Sequence, residues 1–385
     1  MKQVESVYIH IPFCHEICYY CDFTKIYYNS ALAEQYLEAL EQEIRLYVGD
    51  TKQTVRTIYI GGGTPTSLND EQFRKLLKTV QTYFNVEQCE EYTVEANPGE
   101  FSVEKMGMLN EYGVDRISLG VQVLDDQFLQ MLNRNHRVKD VHHTVEQLQR
   151  ANLTNISMDF IYGLPDQTMA QFEKTLDDAI AFHLPHYSAY SLQIEPKTVF
   201  YLRYQKGKLQ KPPEEEEAQM YHTLKRKMEN NGLYQYEISN FAKQGYESKH
   251  NLTYWDNAYY YGFGAGAHGY LPGRRIVNVR PVKHYIQEVK QGKKPALHEE
   301  IVTKKEKIEE EMFLGLRKAQ GVSKVRFHKK YKMSIHDVFG EDIQVLKEKG
   351  WIEEEGDWIR LTNDGRLFGN EAFSHFLLDE NISFQ

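Results

Sequence analysis

The sequence predicts an α/β protein: a partial (β/α)6 barrel built on an open parallel sheet, followed by a winged-helix-like α+β domain. Three observations lead there. Over the first two hundred residues, short apolar runs alternate with amphipathic helical stretches, the rhythm of βα units with right-handed crossovers. Only six such units can be traced, too few to close an eightfold barrel. After Pro295 the composition turns helical and charged and ends in two tryptophan-led strands around a turn.

Taken in order, Val7-Tyr8-Ile9-His10-Ile11 reads as the first strand, stopped by Pro12 and a cysteine loop. A helix follows from about Ser30, with Leu32, Tyr36, Leu37, Leu40, Ile44 and Tyr47 on one face. Ile58-Tyr59-Ile60 is the second strand, closed by Gly61-Gly62-Gly63-Thr64-Pro65. Asn69 and Gln72 have the spacing of a capping box for the helix carrying Phe73, Leu76, Leu77, Val80 and Phe84. Strands beginning at Tyr92, Arg116, Ile156 and Tyr187 complete the six, and each but the last precedes a convincing helix. Lys211-Pro212-Pro213 and the glutamates 214–217 read as a linker and the solvated start of a helix reaching about Asn231. Eleven aromatic residues, eight of them tyrosine, lie between Tyr234 and Tyr270. Helices are expected over Lys305–Lys318, Val322–Lys332 and Gly340–Lys349, then a wing from Trp351-Ile352 and Trp358–Leu361. The expected division is 1–200, 201–300 and 301–385.

Composition removes several function classes. The 385 residues carry a formal charge of −9, and the last 85 hold 14 basic against 16 acidic residues. Without a basic recognition helix, protein contact is expected there rather than nucleic-acid binding. Four cysteines exclude a disulfide scaffold, and three of them crowd into residues 14–21. No window approaches 18 apolar residues, so no direct membrane insertion is expected. Met1 to Ser6 leads into a strand without a signal-peptide core, and Lys2 stands where myristoylation needs glycine. A cytoplasmic protein is expected.

Cys14-His15-Glu16-Ile17-Cys18-Tyr19-Tyr20-Cys21 has the spacing C-x3-C-x2-C. Thiolates suit zinc or iron–sulfur clusters, and structural zinc normally takes four protein ligands. His15 sits inside the first spacer, an awkward place from which to close a tetrahedron. Cys89 is distant and reads as a small packed residue. Three cysteines on a [4Fe–4S] cluster leave one iron open, as S-adenosylmethionine chemistry requires.

With Tyr8-Ile-His-Ile-Pro-Phe-Cys14 and Gly61–Pro65, this loop resembles the radical S-adenosylmethionine superfamily. Glu95-Ala-Asn-Pro98, Gly120-Val-Gln122, Asn133-Arg134 and Asp159–Pro165 extend the resemblance, in particular to the oxygen-independent coproporphyrinogen III oxidase branch. The resemblance implies that Cys14, Cys18 and Cys21 hold the cluster and that Gly62, Gly63 and Thr64 contact the methionyl group. It also implies S-adenosylmethionine contacts for Tyr8, Tyr20, Glu95, Gln122, Arg134 and Asp159. The bland reading of the carboxylates is helix capping; that of Gln122 and Arg134 is surface polarity.

Two features depart from the oxidase. Cys21 is followed by Asp22-Phe23 where the oxidase has Gly-Cys, and few residues precede the first strand. Together with His250-Asn251-Leu-Thr-Tyr254-Trp255, these are similar to the haem chaperone HemW family. That resemblance implies binding of a [4Fe–4S] cluster, S-adenosylmethionine and haem, and delivery to haem-accepting proteins. A homodimer is conceivable, since open-iron clusters can meet across an interface. The enzyme alternative is oxidative decarboxylation of coproporphyrinogen III, and a zinc-stabilised winged-helix regulator is the outsider. Haem needs apolar walls and an axial ligand, for which His250 is the first choice and His268 the second. The bland reading of both is a satisfied core histidine. Gly264–Gly269 matches G-x-G-x-x-G but opens no helix, so it is not a dinucleotide loop.

Overall fold

The computed structural model describes residues 4–379; Met1–Gln3, including the Lys2 position, and residues 380–385 lie outside the described residues. The chain runs β1 (Ser6–Ile11), the short pair β2 (Phe13–Cys14) and β3 (Ile26–Tyr27), α1 (Ser30–Val48), β4 (Thr57–Gly62), α2 (Asp70–Tyr83) and β5 (Glu91–Ala96). Then come α3 (Val103–Glu111), β6 (Arg116–Gln122), α4 (Asp126–Met131), α5 (Val138–Arg150), β7 (Ile156–Tyr162), α6 (Met169–Ile180) and β8 (His186–Ser191). These six long strands are the expected ones, and they pair in parallel in chain order. The capping box before α2 is only half formed. Asn69 accepts from the Gln72 backbone N–H, but the Gln72 side chain reaches Ser30 and Tyr28 instead and ties α2 to α1.

The next segment holds α7 (Val199–Gln205), α8 (Glu214–Asn230), β9 (Tyr234–Gln235), β10 (Asn240–Ala242), α9 (Lys249–Trp255), β11 (Tyr260–Phe263), β12 (His268–Leu271), β13 (Arg274–Asn278), α10 (Val282–Lys290) and β14 (Ala296–Ile301). Its strands extend the same sheet at both edges, giving the order β14-β13-β12-β11-β1-β4-β5-β6-β7-β8-β10-β9. β11 is a seventh parallel strand, in register with β1 from Ser6↔Tyr260 to Ile9↔Phe263. Without it β1 would expose a row of unpaired amides and carbonyls at a sheet edge. The tyrosine-rich stretch is thus partly barrel wall.

Strand alternation decides what faces inward. Val94, Ile117, Leu119, Ile156 and Met158 join the buried apolar core, and the residues between them point into the lumen. The carboxy-terminal unit contains α11 (Lys304–Gly315), β15 (Val322–Ser323), α12 (Lys324–Tyr331), α13 (Ile335–Glu348), β16 (Ile352–Glu355), β17 (Trp358–Leu361), α14 (Asn363–Leu367) and α15 (Gly369–Ser374). Ile308, Phe327, Phe339, Leu346, Ile359 and Phe376 form its own core. α13 is two helical pieces across a kink: Ser334 caps a short first piece, Phe339 has non-helical backbone (φ −126°, ψ 20°), and the helix expected from Gly340 follows it.

Candidate cofactor site at the cysteine loop

The loop is pinned at both ends and along its middle. β2 and β3 pair in parallel with Cys14 opposite Tyr27. The Ile26 N–H donates to Pro12 O at 2.7 Å and the Tyr28 N–H to Cys14 O at 2.8 Å. Further along, Asn133 Nδ2 donates to Ile17 O at 2.9 Å, and the Tyr19 N–H donates to Leu132 O at 3.1 Å. Tyr19 and Tyr20 pack on a small buried cluster that includes Phe128, Leu132, Leu192 and Phe200. Cys18 and Cys21 are therefore positioned by α4 and α7, elements more than a hundred residues away.

The three thiols face a cavity of about 410 Å³ at the carboxy-terminal ends of the parallel strands, where ligands of such sheets gather. Tyr20, Gly62, Gly63, Thr64, Glu95, Gln122, Arg134 and Asp159 line the same cavity. Gly62 has φ 114°, and a Cβ there would stand 2.4 Å from the His10 ring; one on Gly63 would meet the Ile11 and Phe13 carbonyls at 2.9 Å. Only glycines let this turn lie against the loop. Glu95 fixes the turn, accepting from the Gly62 N–H at 2.8 Å and from Tyr59 Oη at 2.7 Å. Burial raises its pKa above the ordinary carboxylate value. Asp159 accepts from Ser118 and Ser157 hydroxyls at 2.7 and 2.9 Å.

Arg134 joins the parts: its guanidinium lies 3.3 Å from Cys18 Sγ and donates to Asn97 Oδ1 and Gly120 O, both at 2.6 Å. Arg134 Nε and Arg116 Nε are buried and have no hydrogen-bond partner among the described residues. Two buried guanidinium groups with open N–H positions fit an anionic or carboxylate-bearing ligand. Burial, opposed by the Thr64 hydroxyl, pushes the Cys14 thiol up to about 12. Such a thiol becomes a thiolate when a metal supplies positive charge. His15 stands edge-on to Tyr28 at 5.3 Å and is not part of the cavity lining. Among the described residues no three His, Cys, Asp or Glu side chains converge at single-ion spacing. Three thiols on one cavity without a fourth cysteine beside them suit a cluster with an open iron better than a four-ligand zinc site.

Two expected residues lie elsewhere. Tyr8 lines a second cavity, not this one, its hydroxyl 3.0 Å from His10 Nδ1. His250 is 1% exposed and lines neither cavity. It belongs to α9, whose amino terminus is held by Glu91 at the start of β5. A directional chain fixes its tautomer: Thr253 donates to Lys249 O, so Ser6 donates to Thr253, Thr57 donates to Ser6, and His250 Nδ1–H donates to Thr57. Its Nε2 then accepts from Tyr254 Oη at 2.8 Å. Both His250 nitrogens are thus engaged in hydrogen bonds, and the ring expected to serve as an axial ligand is not open to a cavity in this structure. Cys89, as expected, is a packed residue, its Sγ 3.4 Å from Val55 O.

Sequence reading missed Arg116, Ser118, Tyr59, Asn97 and Tyr190, all on the cavity wall. The signal was present: Arg116, Ser118, Gly120 and Gln122 alternate along β6, a polar row in a strand otherwise apolar.

An open parallel barrel with three loop thiols at its mouth defines the class as a radical S-adenosylmethionine protein, and the Radical SAM superfamily model matches residues 8–179. The HemN C-terminal domain model matches residues 302–368. The haem chaperone HemW of Bacillus subtilis is 50% identical over 97% of this chain and 99% of its own length. That of Lactococcus lactis is 42% identical over 99% of both chains. The chain belongs to the haem chaperone HemW family. The solved coproporphyrinogen III oxidase HemN of Escherichia coli, a radical SAM enzyme, superposes with a TM-score of 0.84. At 23% identity over 98% of this chain and 90% of its own, it shares the fold. Among the described residues no helix is long and apolar enough to cross a membrane.

Proposed function

We propose that this protein, in the cytoplasm, holds a [4Fe–4S] cluster on Cys14, Cys18 and Cys21, binds S-adenosylmethionine beside it, and carries haem to haem-requiring proteins. The observation that carries the reading is the convergence of three thiols, without a fourth, on one cavity with the glycine turn and two open guanidinium groups. A cluster so held supplies an open iron and an electron to a sulfonium ligand. The chain's own residues do the rest. Gly62 and Gly63 bring backbone within reach of the ligand, Glu95 holds that turn, and Arg134 sets charge beside Cys18. Tyr20 and the lumen side chains exclude water. Haem transfer comes to this chain from its HemW relatives, which are named haem chaperones. A homodimer belongs to the same reading.

Anaerobic reconstitution followed by iron, sulfide and zinc analysis tests the cluster: stoichiometric zinc without iron sinks it. Haem titration of the reconstituted protein, in parallel with reduced protein, S-adenosylmethionine and coproporphyrinogen III, tests the carrier role. A stable haem complex without turnover is expected; catalytic protoporphyrinogen formation with no haem complex overturns it.

A further inference from the structure

A second cavity, about 440 Å³ in volume, shares only Asp22 and Phe23 with the first. It opens between the cysteine loop, β11–β13 and the start of the carboxy-terminal unit at Leu314. Its walls are aromatic: Phe23, Tyr254, Trp255, Tyr260 and Tyr270. Tyr254 and Tyr260 meet edge to face at 4.7 Å.

The polar groups around these walls divide into committed and free. His10 is committed, its Nε2 2.7 Å from Thr24 O and its Nδ1 on Tyr8. Arg275 is paired with Glu310 at 2.8 Å and lies over the Tyr270 ring. His268, the first residue of β12, is different: its side chain is exposed to the cavity and neither ring nitrogen has a partner among the described residues. Partial burial, then the nearby Arg280 and Arg275 charges, lower its pKa. The imidazole is therefore neutral at physiological pH, the form that ligates a metal. Arg280, exposed on the same cavity, has no carboxylate or hydrogen-bond partner among the described residues.

We propose that this second cavity is the haem seat, with His268 as axial ligand and Arg280 pairing with a propionate. A flat apolar ring system, a metal that takes imidazole and an anionic edge are the three features these walls, this histidine and this arginine complement. The two cavities are adjacent, since Phe23 forms a wall of both and immediately follows Cys21 and Asp22. A haem seated here would touch the loop that carries the thiols. The inference rests on the haem-carrying reading and adds its location.

The test is a haem titration of the reconstituted full-length protein, read by Soret absorbance, with His268→Ala and Arg280→Gln variants checked for folding by circular dichroism. Both positions are exposed, so neither substitution removes core packing. His268→Ala is expected to weaken haem binding about tenfold or more and to shift the Soret band. Added imidazole should restore much of the band. Arg280→Gln is expected to weaken haem binding about tenfold while leaving haem dimethyl ester binding unchanged. If parent protein binds haem and His268→Ala keeps its spectrum and affinity, the location is wrong and the carrier reading stands. Equal loss for haem and its ester in Arg280→Gln overturns the propionate assignment. No haem binding by the parent protein overturns both the location and the carrier reading.

Discussion

Two buried titratable residues show how position sets chemistry with opposite signs. Burial, reinforced by Arg116, lowers the His250 pKa from 6.5 to about 3. The unfolded chain takes up a proton below pH 6.5 while the folded chain does not, so this residue's contribution to stability is lost as pH falls from about 6.5 towards 3. His250→Phe keeps the stack on Tyr59 but strips partners from the Thr57 and Tyr254 hydroxyls. It should cost on the order of 2 kcal/mol at pH 7 and show a smaller loss between pH 7 and pH 5, read by urea unfolding. Glu43 accepts from Tyr285 Oη at 2.5 Å, Asn278 Nδ2 at 2.6 Å and the Gly264 N–H at 2.8 Å. Burial outweighs these bonds and raises its pKa from 4.5 to about 7. Here the folded state keeps a proton that the unfolded state has lost, so stability falls as pH rises from about 4.5 to 7. The gap in thermal midpoint between the parent protein and Glu43→Gln should be wider at pH 5 than at pH 8; a gap independent of pH would remove this account.

At the scale of elements, the end of β4 and the return of β11 carry the site. Gly62 closes β4 with a positive φ against the His10 ring, so Gly62→Ala strains the backbone and displaces His10 together. A loss of about 1–3 kcal/mol is expected, with less iron retained after anaerobic reconstitution than in the parent protein. Thermal melting and iron analysis check both halves, and full iron content with an unchanged melt contradicts them. β11 covers the β1 edge and leads through a tight turn to β12, which presents His268. At four residues, Tyr260-Tyr261-Gly262-Phe263, β11 is too short for periodicity to reveal. The lumen row of β6 is long enough to be read, and Arg116 belongs to it although charge in a strand invites a surface assignment.

Over the whole molecule, the carboxy-terminal unit is joined to the barrel by a few polar contacts. Asp256, just after α9, holds Lys318 at 2.5 Å and Arg326 at 3.6 Å. The Ala319 N–H donates to Tyr236 O at 2.9 Å. The Lys318 side chain is only 11% exposed, so Asp256→Ala leaves a largely buried ammonium without its carboxylate. The junction should loosen by on the order of 2 kcal/mol. Faster trypsin cleavage near Lys304 and Lys305 is expected in limited proteolysis; an unchanged cleavage rate counts against the contact. The second cavity reaches Leu314 in α11, so the same substitution is expected to weaken haem retention.

The sequence by itself determined the βα repeats, the thiol triad, the glycine turn and the separate carboxy-terminal core. Each is written in local spacing: period two, period 3.6, C-x3-C-x2-C, and glycine where a Cβ would collide. Of the ten non-cysteine residues that the sequence singled out, eight line the cavity of the thiols. Tyr8 and His250 were the exceptions because a chain pattern shows which face of an element a residue occupies, not what meets it there. Only the tertiary structure decided that α9 lies against the starts of β1, β4 and β5, so that the Thr57 hydroxyl of β4 engages one nitrogen of His250 while Tyr254 of α9 itself engages the other. The same packing leaves the ring of His268, eighteen residues later, open to an aromatic cavity. The availability of a ring nitrogen is a property of neighbours brought together by folding, which local spacing does not record.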